Sequence, residues 1–216
     1  MSVIFQPERI LLTNQIKKFS SFIEGIILDV GCGRMNRYEN YFTKKEKFLT
    51  LDINPNNKPD IVASADNIPL ENNTVDSIVC TQVLEHLKNP TLAVAEFYRV
   101  LKNGGHVLIT VPQWGELHEE PEDYYRFTNF GIKYILESAG FILVDIDKRG
   151  GFFSVVSQTN IRYLIDRFDL YHSWLSLFFS PLISLYGRFM LFLDKLDKSK
   201  SGRKHALGWC VVVKKQ

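Results

Sequence analysis

Two glycines, Gly31 and Gly33, follow directly on the apolar run 26–30, IILDV. Glycine permits positive φ and lets a ligand approach the backbone closely. A plain tight turn from strand to helix would use the same residues. About twenty residues further on, Asp52 stands at the end of a second apolar run, 47–53. A carboxylate there can accept hydrogen bonds from both hydroxyls of a ribose. The alternative is a solvated loop aspartate or a helix cap. Dinucleotide folds need a third glycine, in GxGxxG, so that the helix packs against a pyrophosphate. Here the stretch reads Gly31-Cys32-Gly33-Arg34-Met35-Asn36, with Asn36 in the third place. A nucleoside ligand without a pyrophosphate does not need that glycine. Cys32, Cys80 and Cys210 are far apart and form no CxxC pair, so neither a zinc site nor a disulfide framework is signalled. Cys32 is given no nucleophilic role.

These residues need elements to hold them. Apolar positions Ile10, Leu11, Ile16, Phe19 and Phe22 predict an amphipathic helix over 7–22, with Pro7 in its first turn. Strands are expected at 26–30, 47–53, 60–63, 74–80, 106–111, 141–147 and 209–215. Helices are expected at 34–42, 90–101 and 130–140, the second stopped by the glycines of NGG. Strands alternating with helices imply an α/β fold with a mostly parallel sheet covered on both faces. In such sheets the ligand lies at the carboxyl ends of the strands, beside the first one. The 216 residues fit one domain with a real core. A net charge of +2 implies no general pull toward nucleic acid. The N-terminus does not read as a secretory signal, and a reducing cytoplasm is the expected setting.

The stretches LDVGCG, LDINP, ASADNIPLENNTVDSIVCTQVLEHLKNP and EFYRVLKNGGHVLITVP follow one another in order. Together they resemble the successive motifs of class I S-adenosylmethionine-dependent methyltransferases, over roughly residues 26–147. The resemblance implies a Rossmann-like sheet of seven strands whose last strand is antiparallel, a place that WCVVVKK can fill. It implies that Gly31 and Gly33 face the methionine part of the cofactor S-adenosylmethionine, and that Asp29 helps to bind its ammonium group. Asp52 would take the ribose hydroxyls and Ile53 would pack on the adenine. Asp66 would accept from the adenine amino group, with Asn67 and Ile68 beside it. Thr81 and Gln82 would border the methyl group. Carboxylates suit hydroxyl and amino donors, and an apolar face suits a purine. For Glu85 and His86, helix-surface or packing roles are at least as well supported as chemistry.

The acceptor side is expected in 113–131, QWGELHEEPEDYYRFTNFG, which the resemblance places over the methyl group. His118 is a candidate general base, because imidazole titrates near neutrality. Tyr124, Tyr125 and Arg126 are candidates to line the acceptor pocket. The structural alternative is a turn with aromatic anchors and an internal ion pair, with Thr128 or Asn129 capping the next helix. The DYYRFT stretch resembles a branch met among bacterial surface-polysaccharide enzymes. After the fourth strand the chain reads TQVLEH rather than NPPY or DPPY, which weakens methylation of an adenine or glutamine amino group. No basic, aromatic-interleaved platform for RNA is seen.

Residues 148–208 form an insertion before the last strand, expected to be helical within one domain spanning 1–216. Its apolar run 174–193 carries a thin polar stripe, Ser176, Ser180, Ser184 and Arg188, and Pro181 is expected to kink it or start a new helix. A helix apolar on most sides needs a groove, a partner or a bilayer. A single crossing would put the last strand on the wrong side of a membrane. The readings are therefore an interfacial helix, a homodimer interface or a lid. Lys195, Lys198, Lys200, Arg203 and Lys204 against Asp194 and Asp197 leave a local charge of +3, which suits anionic lipid heads. The expected activity is methyl transfer to an oxygen of a small-molecule or glycan acceptor, lipid-linked if 174–204 meets a membrane. A prenyl-tailed quinone precursor is the alternative acceptor. A non-catalytic scaffold and a nicotinamide oxidoreductase are the other classes. Neither a metal nor a nucleic-acid partner is expected.

Overall fold

Buried side chains alternate between two faces along each central strand, as a pleated strand covered on both sides requires. The computed structural model describes residues 4–34 and 38–216. Its strands are β1 Glu24–Val30, β2 Lys44–Asp52, β3 Ile61–Val62, β4 Val75–Thr81, β5 Leu101–Pro112, β6 Ile142–Arg149 and β7 Gly208–Lys214. Its helices are α1 Pro7–Phe19, α2 Pro90–Val100, α3 Asn129–Ser138, α4 Phe152–Arg167 and α5 Ser176–Leu196. The sheet order is β3-β2-β1-β4-β5-β7-β6. The strands from β3 to β5 pair in parallel, and β7 runs antiparallel to both its neighbours. This is the expected seven-stranded, Rossmann-like arrangement.

Leu28, Val30, Ile109, Val111, Val211 and Val213 point into one core, with Ala93, Val94 and Phe97 of α2 and Ile132 and Leu136 of α3. Ile27, Leu108, Cys210 and Val212 point the other way, onto Leu12, Ile16 and Phe19 of α1. A third, smaller core joins Ile4 to Ile161 and Ile165 of α4, Leu170, and Ile183 of α5. The chain between β6 and β7 carries α4 and α5, and this third cluster joins them to Ile4.

Several local expectations are corrected. Over 34–42 no long helix forms among the described residues: Glu39–Tyr41 is a single 3-10 turn, and 35–37, with Asn36, lie outside them. The NGG glycines do not stop α2, which ends at Val100, and β5 starts at once. They lie inside β5, where a Cβ on Gly105 would stand 2.6 Å from the backbone oxygen of Asp76. Close approach of β4 is what needs glycine there. Helix α4 was not foreseen, because FFSVVSQTNIRYLIDR mixes polar and apolar residues. Helix α5 runs through Pro181 without a break. The proline sits in the second turn, where few in-helix bonds precede it.

The two insertion helices are tied by one carboxylate. Asp194 accepts from the backbone N–H groups of Gly151 (2.9 Å), Phe153 (2.9 Å) and Ser154 (2.8 Å), and from the Ser154 hydroxyl. It caps the start of α4 from a distance in sequence, in place of a local cap residue. Asp194→Ala is expected to cost about 2 kcal/mol, which lowers the midpoint of thermal unfolding by about 4–8 °C for a chain of this size. A melt superimposable on the parent's would remove Asp194 from this role.

Candidate active site

The parallel strands bring their carboxyl ends to one edge, and the order reverses between β1 and β4, where α/β sheets bind ligands. The loop after β1 is anchored there. Gly31 N–H and Cys32 N–H both donate to Leu51 O, at 2.8 and 3.3 Å. Gly33 N–H donates to Asp52 Oδ2 at 2.9 Å, and Asn54 N–H donates to Oδ1 at 2.8 Å. The Asp52 carboxylate is thus aimed by the backbone on both of its oxygens, with one lone pair left on each.

The two glycines differ in purpose. Both have positive φ, +71° for Gly31 and +62° for Gly33. A Cβ on Gly31 would meet Val83 Cγ2 at 2.3 Å, so this glycine makes room for the protein itself. Among the described residues a Cβ on Gly33 would meet nothing within 4 Å, so on that side it faces space that a ligand can enter. Asp29 lies beneath the loop, nearly buried. Burial, and then the charges of Asp52 and Glu39, push its carboxyl up to about 7. Burial first, with Asp29 and Asp52 after it, pushes the Cys32 thiol up to about 11, so it stays protonated and unreactive near neutrality.

Around this centre the other predicted residues take different positions. Ile53 follows β2 and is 71% exposed, an apolar side chain presented to solvent beside Asp52. Asp66 and Asn67 are exposed on the 64–70 turn, whereas the Ile68 side chain is buried in the main core. The turn is held from behind: Ile68 N–H donates to Glu96 Oε2, and Arg99 ties Glu96 to the carbonyls of Ile68 and Leu70. Thr81 ends β4. Gln82 has φ +55°, unusual for a side chain of its kind, and its amide donates to Thr110 Oγ1 at 3.2 Å.

On the opposite side, residues 116–126 are stitched to the turn after β4. Tyr124 N–H and Tyr125 N–H both donate to Glu85 O, and the Tyr125 hydroxyl donates to Lys88 O. Arg126 makes a two-pronged pair with Asp123 at 2.6 and 2.8 Å and also donates to Glu116 O and Tyr125 O. Its hydrogen bonds make it a scaffold residue. Asp123, held by Arg126 well below the usual carboxylate range, also accepts from His118 N–H at 3.0 Å. The half-exposed Tyr124 flanks this network. His118 stands edge-on to His86, with ring centres 4.8 Å apart.

Sequence reasoning gave Glu85 no role in the site. Its side chain is fully buried, neither oxygen has a hydrogen-bond partner among the described residues, and burial pushes its carboxyl up to about 8. The one signal in the sequence is an acid–histidine pair directly after the fourth strand. A cavity of about 530 Å³ lies elsewhere, between α1, α4 and α5. Asp194 on its wall is already engaged by the α4 cap, so the glycine loop remains the better-equipped ligand site.

Residues 28–109 match the protein family described as a methyltransferase domain. An uncharacterized protein of Methanocaldococcus jannaschii is 33% identical over 55% of this chain and 52% of its own length. The tRNA (carboxymethyluridine(34)-5-O)-methyltransferase of Arabidopsis thaliana is 30% identical over 57% of this chain and 33% of its own. The chain thus spans about half or less of these curated relatives. Among solved structures, a SAM-dependent methyltransferase of Archaeoglobus fulgidus superposes with a TM-score of 0.61 at 18% identity, over 96% of this chain and 94% of that one.

Proposed function

From a chain that carries a methyltransferase domain on the class I S-adenosylmethionine-dependent fold, we propose an enzyme that transfers a methyl group to an oxygen of a small-molecule or glycan acceptor. The observation that carries the reading is the Asp52 carboxylate, aimed by Gly33 and Asn54 beside a glycine that faces open space. The residues fit the cofactor. Asp52 keeps free lone pairs for ribose hydroxyls, Ile53 offers an apolar face for adenine, and Asp66 and Asn67 are exposed acceptors at the rim. Asp29, with Gly31 and Gly33, holds the amino-acid end. Thr81 and Gln82 close the wall nearest the acceptor. When bound, S-adenosylmethionine supplies an electrophilic methyl group on a sulfonium. The chain's task is to align the acceptor and exclude water. Tyr124 borders the acceptor, Arg126 fixes Asp123, and His118 takes the acceptor's proton. The oxygen class is supported by the Arabidopsis relative, which is named a 5-O-methyltransferase.

The test is calorimetric titration with S-adenosylmethionine, with NAD as control. Micromolar binding of the first alone is expected. Binding of NAD would favour an oxidoreductase, and binding of neither a scaffold. The pH dependence is a sharper check. Asp29 is largely protonated below about pH 7, and a cationic ammonium favours its charged form. Affinity should therefore rise as pH climbs from 5.5 to 7.5, by up to about tenfold per unit below that pKa. Asp29→Asn should flatten the dependence; a slope equal in both proteins would exclude Asp29.

Helix α5 supports an acceptor at a membrane surface. Phe178, Leu182, Leu185, Phe189, Phe192 and Leu196 recur at intervals of three and four, and every one is more than half exposed. Ile183, Gly187 and Met190 face inward. The helix is long and apolar enough to cross a membrane, but β6 and β7, which flank the insertion, pair with each other in one sheet. Lying along the surface is the arrangement compatible with both. Lys195, Lys198, Lys200, Arg203 and Lys204 are all exposed beside it, while Asp194 is turned inward onto α4. Anionic lipid is the matching partner. The protein is expected to co-sediment with vesicles containing anionic phospholipid, release in high salt, and lose binding in Leu185→Asp/Phe189→Asp. Absence of binding at low salt would favour a homodimer interface or a lid.

A further inference from the structure

The buried, unpartnered carboxylate of Glu85 has two histidines for neighbours. One ligand-type atom each of Glu85, His86 and His118 lie within 4.8 Å of one another. A buried carboxylate without a donor is costly and asks for a cation or a proton. Contacts at Nδ1 orient both histidines. His86 Nδ1 lies 2.6 Å from Glu122 O, a carbonyl that can only accept, so Nδ1 carries the proton and Nε2 keeps a lone pair. His118 Nδ1 lies 3.4 Å from Glu116 O and from Asp123 Oδ2, and 3.5 Å from Nη2 of Arg126, which is itself paired with Asp123. An imidazole with a carbonyl or carboxylate behind it is the usual support of a metal-binding histidine. Two imidazoles and one carboxyl group that a cation would ionise, with positions left open, suit a divalent transition metal. With bonds of 2.0–2.1 Å, ligand atoms of a tetrahedron stand roughly 3.4 Å apart, so small side-chain rotations complete the set.

We propose that Glu85, His86 and His118 bind a divalent transition-metal ion, and that the acceptor oxygen takes an open position on it. The second half rests on the methyl-transfer reading; the first does not. A bound cation lowers the pKa of a coordinated hydroxyl. The hydroxyl proton is then lost to water. The oxygen forms its bond to the methyl carbon as the carbon–sulfur bond breaks, and that electron pair stays on sulfur, leaving a neutral thioether. With metal present, His118 is a ligand rather than the base.

The experiment is titration of the metal-stripped full chain with Co2+, followed by visible absorption and by calorimetry, with Zn2+ as competitor. One equivalent is expected to bind, with ligand-field bands that Zn2+ abolishes. His118→Ala, at a half-exposed position that the core does not need, should weaken binding at least a hundredfold. Glu85→Gln should do the same, and Asp123→Asn should weaken it tenfold to a hundredfold through His118. S-adenosylmethionine affinity of the metal-free variants should match the parent's, which separates failure of this site from failure of the cofactor reading. No stoichiometric binding, or equal binding by parent and His118→Ala, would overturn the proposal.

Discussion

Asp52→Ala is expected to raise the dissociation constant for S-adenosylmethionine by about a hundredfold. The side chain receives Gly33 N–H on one oxygen and Asn54 N–H on the other. Its remaining lone pairs are what a ribose diol can use. Alanine removes the acceptor for the ligand and frees the loop that shapes the site. Hydrogen bonds to a charged group contribute about 1.5–3 kcal/mol each, and about 2.7 kcal/mol is a hundredfold in affinity. Asp52→Asn should fall between the two, because an amide offers one acceptor oxygen where the carboxylate offers two. Calorimetry on the three proteins decides it. An alanine variant that binds within twofold of the parent would exclude Asp52 from the cofactor site.

Gly31→Ala is expected to damage the fold, and Gly33→Ala the binding. At Gly31 the methyl group meets Val83 at 2.3 Å and the backbone has φ +71°. Left-handed strain costs about 1–2 kcal/mol and overpacking about 1–3 kcal/mol. Together they should lower the unfolding midpoint by about 10 °C. Val83→Ala in the same chain should recover the overpacking part, because it removes the atoms that clash. At Gly33 only the strain applies, since a Cβ there meets none of the described residues within 4 Å. Its methyl group instead occupies ligand space, so affinity should fall while the melt moves only a few degrees. Equal melting of the two variants would contradict this division.

Much of this site was legible because it is local. The run IILDV, its two glycines and Asp52 at the end of the second run are read from short windows, and the structure brings them to one edge. The last strand was legible from WCVVVKK for the same reason, and its antiparallel sense came from the family resemblance. What escaped depends on distant contacts. Gly105 looked like a helix stop, but its neighbour is Asp76 O on another strand. For Glu85 the sequence left a surface or packing role and a chemical one both open, and only the fold shows that its carboxyl is sealed in. Ile68 looked like a ligand contact and its side chain belongs to the core. In α5 the apolar face was visible in the sequence. Which face points outward was not, because that is set by α4 and Ile4 packing on Ile183.

The insertion begins and ends on one rung of the sheet. Arg149 and Gly208 are register partners in β6 and β7, and Leu207 N–H donates to Arg149 O at 2.8 Å. Everything between them leaves and returns through a single doorway. The parallel strands that carry the glycine loop and Asp52 lie on the far side of β5 and never pass through it. A hairpin of a few residues would close the same rung with little difference in loop entropy. The Asp52 half and the 150–207 segment thus share one rung, and side chains bridge them as well: Arg162 of α4 pairs with Glu116 at 2.5 Å and Trp114 Nε1 donates to Thr159 Oγ1 at 3.2 Å. A change in α4 therefore reaches residues 114–116 directly, while β1 and β2 stay on the far side of β5.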